Sequence, residues 1–364
     1  MKAMFLRIGD STIATDAFMR LIGLEPIQTH APNNATISRG VLYAPEFACF
    51  PFKVTLGLLM QGLEQGVEVY ISPAGRGQVS CQLSDFGAAQ EYITRKTGKQ
   101  FELVELTSIQ PQKVHAQFVR YNPKLTLTQT TNALLVGRQK MLLYDALVDY
   151  YRAIYIAAGK KKAERFHAKW EHKIKHTDKI TKLLRMGSSL KKDADSYPKI
   201  NTTGFVKIGV IGDIYCLNER TVNNNIYERL LSMGVIVGQG TKISALLGGK
   251  LSLSPSEIVL EGKAEKYLRH NVAAFAKDTI KDAIRFAEEG YDGIIQIYPF
   301  NCMPEITVRN ILPKVGQDYH VPILYLPIDE QTGDAGFTTR IEAFVDLIKL
   351  RKGKKTLVNE SVAV

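Results

Sequence analysis

Gly293-Ile294-Ile295-Gln296-Ile297, running into Tyr298-Pro299-Phe300-Asn301-Cys302-Met303-Pro304-Glu305, decides the fold of this chain. The first five residues are almost continuously apolar and rich in β-branched side chains, the pattern of a strand buried on both faces of a parallel sheet. The next eight read as a loop. Pro304 and Glu305 stand where a helix prefers to open, so a helix is expected over Ile306 to Leu312. Strand, loop and helix in this order form the unit of an open α/β sheet, whose ligands bind beyond the carboxyl ends of the strands. Cys302 lies in that loop.

The same unit recurs outward along the chain. In the first half, strands are expected at Ala3–Ile8, Val67–Ser72 and Phe101–Leu106, with extended chain around Tyr43. Helices are expected at Ala14–Ile22, Val54–Gln65 (stopped by Gly66) and Phe86–Thr97. Cys49 and Cys81, like Cys302, are read as sitting where a buried strand gives way to a helix, whose N-terminus lowers a thiol's pKa. In the second half, strands are expected at Phe205–Ile211, Val235–Val237 and Pro322–Leu326, and helices at Val222–Met233, Lys263–Glu289 and Gly336–Leu350. Alternation in both halves predicts mostly parallel sheets covered on both faces. The domains are read as 1–125, a basic helical connector at 126–200, 201–350, and a frayed tail at 351–364.

Length and composition agree with two cored domains, since the chain has 364 residues and 45% hydrophobic side chains. With no apolar run of signal-peptide or membrane-spanning length, it reads as cytoplasmic and without membrane contact. Four cysteines are too few for a disulfide scaffold, so metal or redox roles come first, with a small buried hydrophobe as the alternative for each. Of the net charge of +11, nine units lie between Lys160 and Lys192, where twelve Lys or Arg face Glu164, Glu171 and Asp178. Phe166, Trp170 and Ile174 recur there at helical spacing, continued by Ile180, Leu183 and Leu184. This predicts amphipathic helices that dock by one face, with an anionic partner for the basic face as the sharper reading and nucleic acid behind it. His172 and His176 read as surface histidines.

Two phosphate motifs stop short. Gly75-Arg76-Gly77-Gln78-Val79-Ser80 follows a strand and precedes a helix but lacks the third glycine and the downstream acid of a dinucleotide loop, and Gly248-Gly249-Lys250-Leu251 lacks the frame of a P-loop.

Taken in order, Cys49-Phe50-Pro51-Phe52-Lys53-Val54-Thr55-Leu56-Gly57, the glycine-rich loop ending at Cys81, Gly212-Asp213-Ile214-Tyr215, and the loop from Tyr298 to Glu305 resemble the 2-hydroxyacyl-CoA dehydratase and benzoyl-CoA reductase superfamily. Asp329-Glu330-Gln331-Thr332-Gly333-Asp334-Ala335-Gly336 and Thr339-Arg340-Ile341-Glu342-Ala343-Phe344 are most similar to its activase-related (CoA protein activase) branch. The resemblance implies an α/β protein of two Rossmann-like or flavodoxin-like domains joined by a helical connector. It also implies a [4Fe-4S] cluster held between them on Cys49, Cys81 and Cys302, soft thiolates that suit iron and sulfide. Cys216 offers a fourth thiol, with a buried cysteine as the alternative. Lys53 and Arg76 would offset cluster or phosphate charge, against surface or loop-anchoring roles. Glu46 and Glu305 would be candidate proton carriers, with Glu305 read in the first place as a helix-start carboxylate. An ATP-hydrolysing activator, a related second subunit and a CoA thioester are the partners implied. The function expected is low-potential electron transfer to, or reductive and radical chemistry on, an acyl-CoA-type substrate. The alternatives are a noncatalytic electron carrier or partner subunit, and an iron-free oxidoreductase with a dinucleotide at Gly75 and Gly77.

Overall fold

The computed structural model describes residues 1–27, 30–73, 86–244, 255–270 and 272–362. Arg76, Cys81 and the Gly75–Gly77 loop therefore lie outside the described residues. In chain order the first half contains β1 (Lys2–Phe5), α1 (Thr12–Leu21), β2 (Glu25–Pro26), α2 (Asn34–Tyr43), α3 (Phe50–Glu64), β3 (Val69–Pro73), α4 (Phe86–Lys96), β4 (Glu102–Leu106) and α5 (Pro111–Phe118). Three connector helices follow, α6 (Leu127–Ala158), α7 (Lys160–Lys175) and α8 (Ile180–Ala194). The second half contains β5 (Lys207–Gly212), α9 (Ile214–Asn218), α10 (Ile226–Ser232), β6 (Ile236–Gln239), α11 (Pro255–Glu265), α12 (Ala276–Glu288), β7 (Gly293–Pro299), α13 (Met303–Asp318), β8 (Ile323–Ile328) and α14 (Asp334–Val362).

Each half builds one four-stranded, all-parallel sheet, ordered β2-β1-β3-β4 and β6-β5-β7-β8. The fold class is thus the one expected, α/β with two Rossmann-like or flavodoxin-like sheets. In both, the chain leaves the first strand toward one edge and returns on its other side, so β1/β3 and β5/β7 are the points where strand order reverses. A crevice opens beyond the strand ends at such a point. The β-branched interior strands explain the burial: Ile208, Val210, Ile211, Ile294, Ile295 and Ile297 are all fully buried.

One apolar core runs from the first sheet through the connector to one face of the second sheet, joining Met4 and Tyr70 to Leu147, Trp170, Ile208 and Ile295. The halves also meet through polar contacts. Arg7, beyond β1, pairs with Glu219, beyond α9, at 3.2 Å, and the Gly9 amide donates to the same carboxylate at 3.1 Å. A side chain at Gly9, where φ is +53°, would fall 2.2 Å from the Asn218 carbonyl oxygen, so only glycine lets the two turns approach this closely.

The connector behaves as an amphipathic unit. Ala163, Phe166, Trp170 and Ile174 of α7 are buried, and the Trp170 indole donates to Asp193 of α8 at 2.6 Å. Leu183 joins the core, but Leu184 is exposed, one position off the buried stripe. His172 and His176 are exposed, with ring centres 4.4 Å apart.

Four local expectations are corrected. The chain before Tyr43 is helix α2, not extended, because Asn33 and Thr36 cap its start reciprocally and Gly40 nests against α3. The helix expected from Val222 starts at Ile226, because Asn224 and Asn225 adopt left-handed φ values of 50° and 53°, which asparagine tolerates. The helix expected over Lys263–Glu289 is split into α11 and α12, with Ala274 at φ 39° just before the restart. The last helix does not end near Leu350 but runs to Val362.

Candidate functional site

Two of the expected ligand cysteines begin helices in the same way. Cys49 is the N-cap of α3 and Cys302 the N-cap of α13, each in extended conformation, and each is followed by proline in the first helical turn, Pro51 and Pro304. Proline lacks the N–H that a first turn leaves unpaired, so it starts the helix at no cost and fixes the cysteine just outside it.

These helices come from different halves, yet Cys49 and Cys302 line one cavity of about 110 Å³. It lies beyond β5 and β7, at the reversal point of the second sheet, and Pro51, Phe86, Asp213 and Tyr215 complete much of its wall. Cys302 is buried and Cys49 half-buried. Phe86 is the first residue of α4 and stands five positions after Cys81 in the chain. It packs edge-to-face on Phe52 of α3 with ring centres 4.9 Å apart, so α4 is anchored directly to the helix that carries Cys49.

The electrostatics of the cavity reverse one expectation. Burial dominates over the helix N-terminus at Cys302 and pushes its thiol well above the ordinary range, with the Asp213 and Glu305 carboxylates adding to the rise. Cys216, in α9, is fully buried and does not line the cavity. Burial again raises its thiol, with contributions from Asp213 and from the sulfurs of Cys302 and Cys49. The three described cysteines therefore lie within one another's fields. Among the described residues, no group of three His, Cys, Asp or Glu side chains is placed to hold a metal ion.

Glu305 is buried in the first turn of α13. Its carboxylate accepts from Thr279 Oγ1 at 2.8 Å and Gln296 Nε2 at 2.8 Å, and burial pushes it up to about 8. It is thereby locked to α12 and β7, and it lines the cavity beside Cys302. Glu46 is exposed and does not line the cavity. Lys53, one turn into α3, is buried and ion-paired with Glu330 beyond β8, a second tie between the halves and a counter-charge already supplied by the protein.

Asp213, Tyr215 and Phe275 line the cavity without having been singled out as site residues. The first two belong to the quoted Gly212–Tyr215 motif, so their presence had a signal. Phe275 had none, because it enters through the unforeseen break between α11 and α12. The Tyr215 hydroxyl is buried with no partner among the described residues, an orphan polar atom at the wall.

No family model matches the chain, and no curated protein matches it. Among the described residues no helix is long and apolar enough to cross a membrane.

Proposed function

We propose that the chain is an iron-sulfur protein holding a [4Fe-4S] cluster in the cleft between its two sheets on Cys49, Cys81 and Cys302. Its task would be ATP-driven, low-potential electron transfer to, or reductive chemistry on, an acyl-CoA-type substrate. The observation that carries the reading is that Cys49 and Cys302, some 250 residues apart in sequence, line one cavity at a strand-order reversal.

The described donors suit the group: the Cys49 and Cys302 thiols stand at helix N-termini and line one cavity, and the burial that opposes ionising Cys302 is a cost that a cationic iron centre would offset. When bound on three protein thiolates, such a cluster keeps one iron open and supplies one-electron, inner-sphere chemistry. The remaining tasks fall to the chain's own side chains. Phe86, Phe275 and the two prolines exclude water, Lys53 and Glu330 hold α3 against the second half, and Thr279 and Gln296 fix the start of α13 through Glu305. The partners proposed with this reading are an ATP-hydrolysing activator, a related second subunit and a CoA thioester.

A second reading, a noncatalytic electron carrier, draws on the closeness of Cys216 to the other two sulfurs, since a fourth thiolate would close the open iron. Anaerobic reconstitution with iron and sulfide separates the two. The first reading expects cluster absorption and electron paramagnetic resonance signals lost in Cys49→Ala, Cys81→Ala and Cys302→Ala and kept in Cys216→Ala. Loss in Cys216→Ala as well favours the carrier, and retention in all four variants refutes both.

A further inference from the structure

A second cavity, of about 70 Å³, lies where all three parts of the chain meet, and the proposed cluster makes no use of it. Its wall comes from the turn after β1 (Ile8 to Ser11), from α6 and from the α9–α10 region. Arg152 of α6 lines it and is buried, with 8% of its surface exposed. Its guanidinium donates to Gln239 Oε1 at 2.6 Å and lies 4.2 Å from the Tyr227 ring centre, but makes no ion pair with any described carboxylate. Asp149, the nearby acid, is taken by Lys242.

A guanidinium cannot shed its proton, so a buried one without a counter-ion leaves an uncompensated charge. Three further polar atoms belonging to wall residues are buried and lack partners among the described residues, the Tyr227 hydroxyl, Asn223 Oδ1 and Asp145 Oδ2. The Asn223 amide is oriented by its Nδ2, which donates to the Cys216 carbonyl at 2.8 Å, so Oδ1 is left as an acceptor. The wall residues therefore supply a cation, a hydroxyl donor, an amide acceptor and the Asp145 carboxyl, which burial raises toward its protonated, donating form. The other charged groups facing it are largely engaged. Asp10 accepts from Tyr144 and pairs with Arg220 at 3.8 Å, and Glu228 accepts from Tyr151 and faces Lys160. Water would fill such a cavity, but a neutral molecule leaves the Arg152 charge uncompensated.

We propose that this cavity binds a small oxyanion that also carries a hydroxyl, hydrogen phosphate being the simplest, with its charged oxygens on Arg152 and Tyr227 and its hydroxyl donated to Asn223 Oδ1. Guanidinium recognition of phosphate oxygens and a single neutral acceptor for the retained proton together select hydrogen phosphate over sulfate, which has no proton to give at neutral pH.

Isothermal titration of the full-length protein with inorganic phosphate, and separately with sulfate, tests the site whether or not iron is present. Saturable phosphate binding is expected, with sulfate about tenfold weaker for want of one hydrogen bond. Tyr227→Phe, which removes only an unpartnered hydroxyl, should weaken phosphate about tenfold without lowering the melting temperature of the ligand-free protein. Arg152→Met should abolish binding, and should it fail to fold, Tyr227→Phe decides. Absence of saturable phosphate binding, or phosphate affinity unchanged in Tyr227→Phe, overturns the proposal.

Discussion

His167 makes acid stability a direct probe of how the connector is packed. Its ring, on α7, stands edge-on to Tyr144 and Tyr151 with centres 5.8 and 5.5 Å away. Its side chain is 13% exposed, and its Nδ1 lies 3.5 Å from Glu171. Burial, followed by the charge of Arg220, drives its pKa down to about 4, against the pull of Asp10 and Glu228. An unfolded histidine titrates near 6.5, so between pH 6.5 and 4 the unfolded chain binds the proton first. The neutral ring's contribution is thus complete above about pH 6.5 and is lost as pH falls toward 4. Between pH 7 and 4.5 the loss is about 2 kcal/mol, a sizeable part of a stability of roughly 5–15 kcal/mol. Asp16, raised to about 6 by burial, acts in the opposite sense, its protonated form favouring the folded state as pH falls through the same window. The wild-type curve alone therefore mixes the two, and the difference between wild type and His167→Gln isolates the histidine. Urea unfolding of both proteins from pH 7 to 4.5 should show wild type losing about 2 kcal/mol more than the variant. Parallel curves would refute the packing of His167 between the two tyrosines.

Two further substitutions test what holds the cleft. Glu219→Ala removes the acceptor that the buried Arg7 guanidinium and the Gly9 amide share, Asp10 remaining 3.9 Å from Arg7, and should cost roughly 1.5–3 kcal/mol in denaturant unfolding, against near-neutrality expected of a surface glutamate. Gly57→Ala would place a methyl group 2.0 Å from the Thr36 carbonyl oxygen, where α2 and α3 touch. It should lower stability by about 1–3 kcal/mol and, because α3 carries Cys49, weaken iron retention in parallel, measured as iron per chain after gel filtration.

The interior strands were legible because their chemistry is local: an apolar β-branched run such as Ile208–Ile211 can be little else when bounded by turns and helices. The two-residue edge strand Glu25–Pro26 has no such pattern and exists only because β1 offers it a ladder. Helix α2 was hidden for a related reason. Only Thr36 and Gly40 of it are buried, and its fit depends on glycines of two helices meeting, which no window of sequence displays. At the site, Cys302 was readable from its strand-to-helix junction and its proline, whereas Cys49 stands between helices α2 and α3 and not after the strand expected before it. What sequence could not supply was the depth of burial. That depth overrides the helix N-terminus at Cys302, engages Lys53 with Glu330, and brings Cys216 close to two sulfurs distant in the chain.

Anomalous diffraction at the iron edge from anaerobically grown crystals addresses the cluster most directly. The account predicts a single compact iron peak in the cavity between Cys49 and Cys302, within bonding distance of both sulfurs and of Cys81. Iron located elsewhere, or a Cys302 sulfur turned away from the peak, would contradict it.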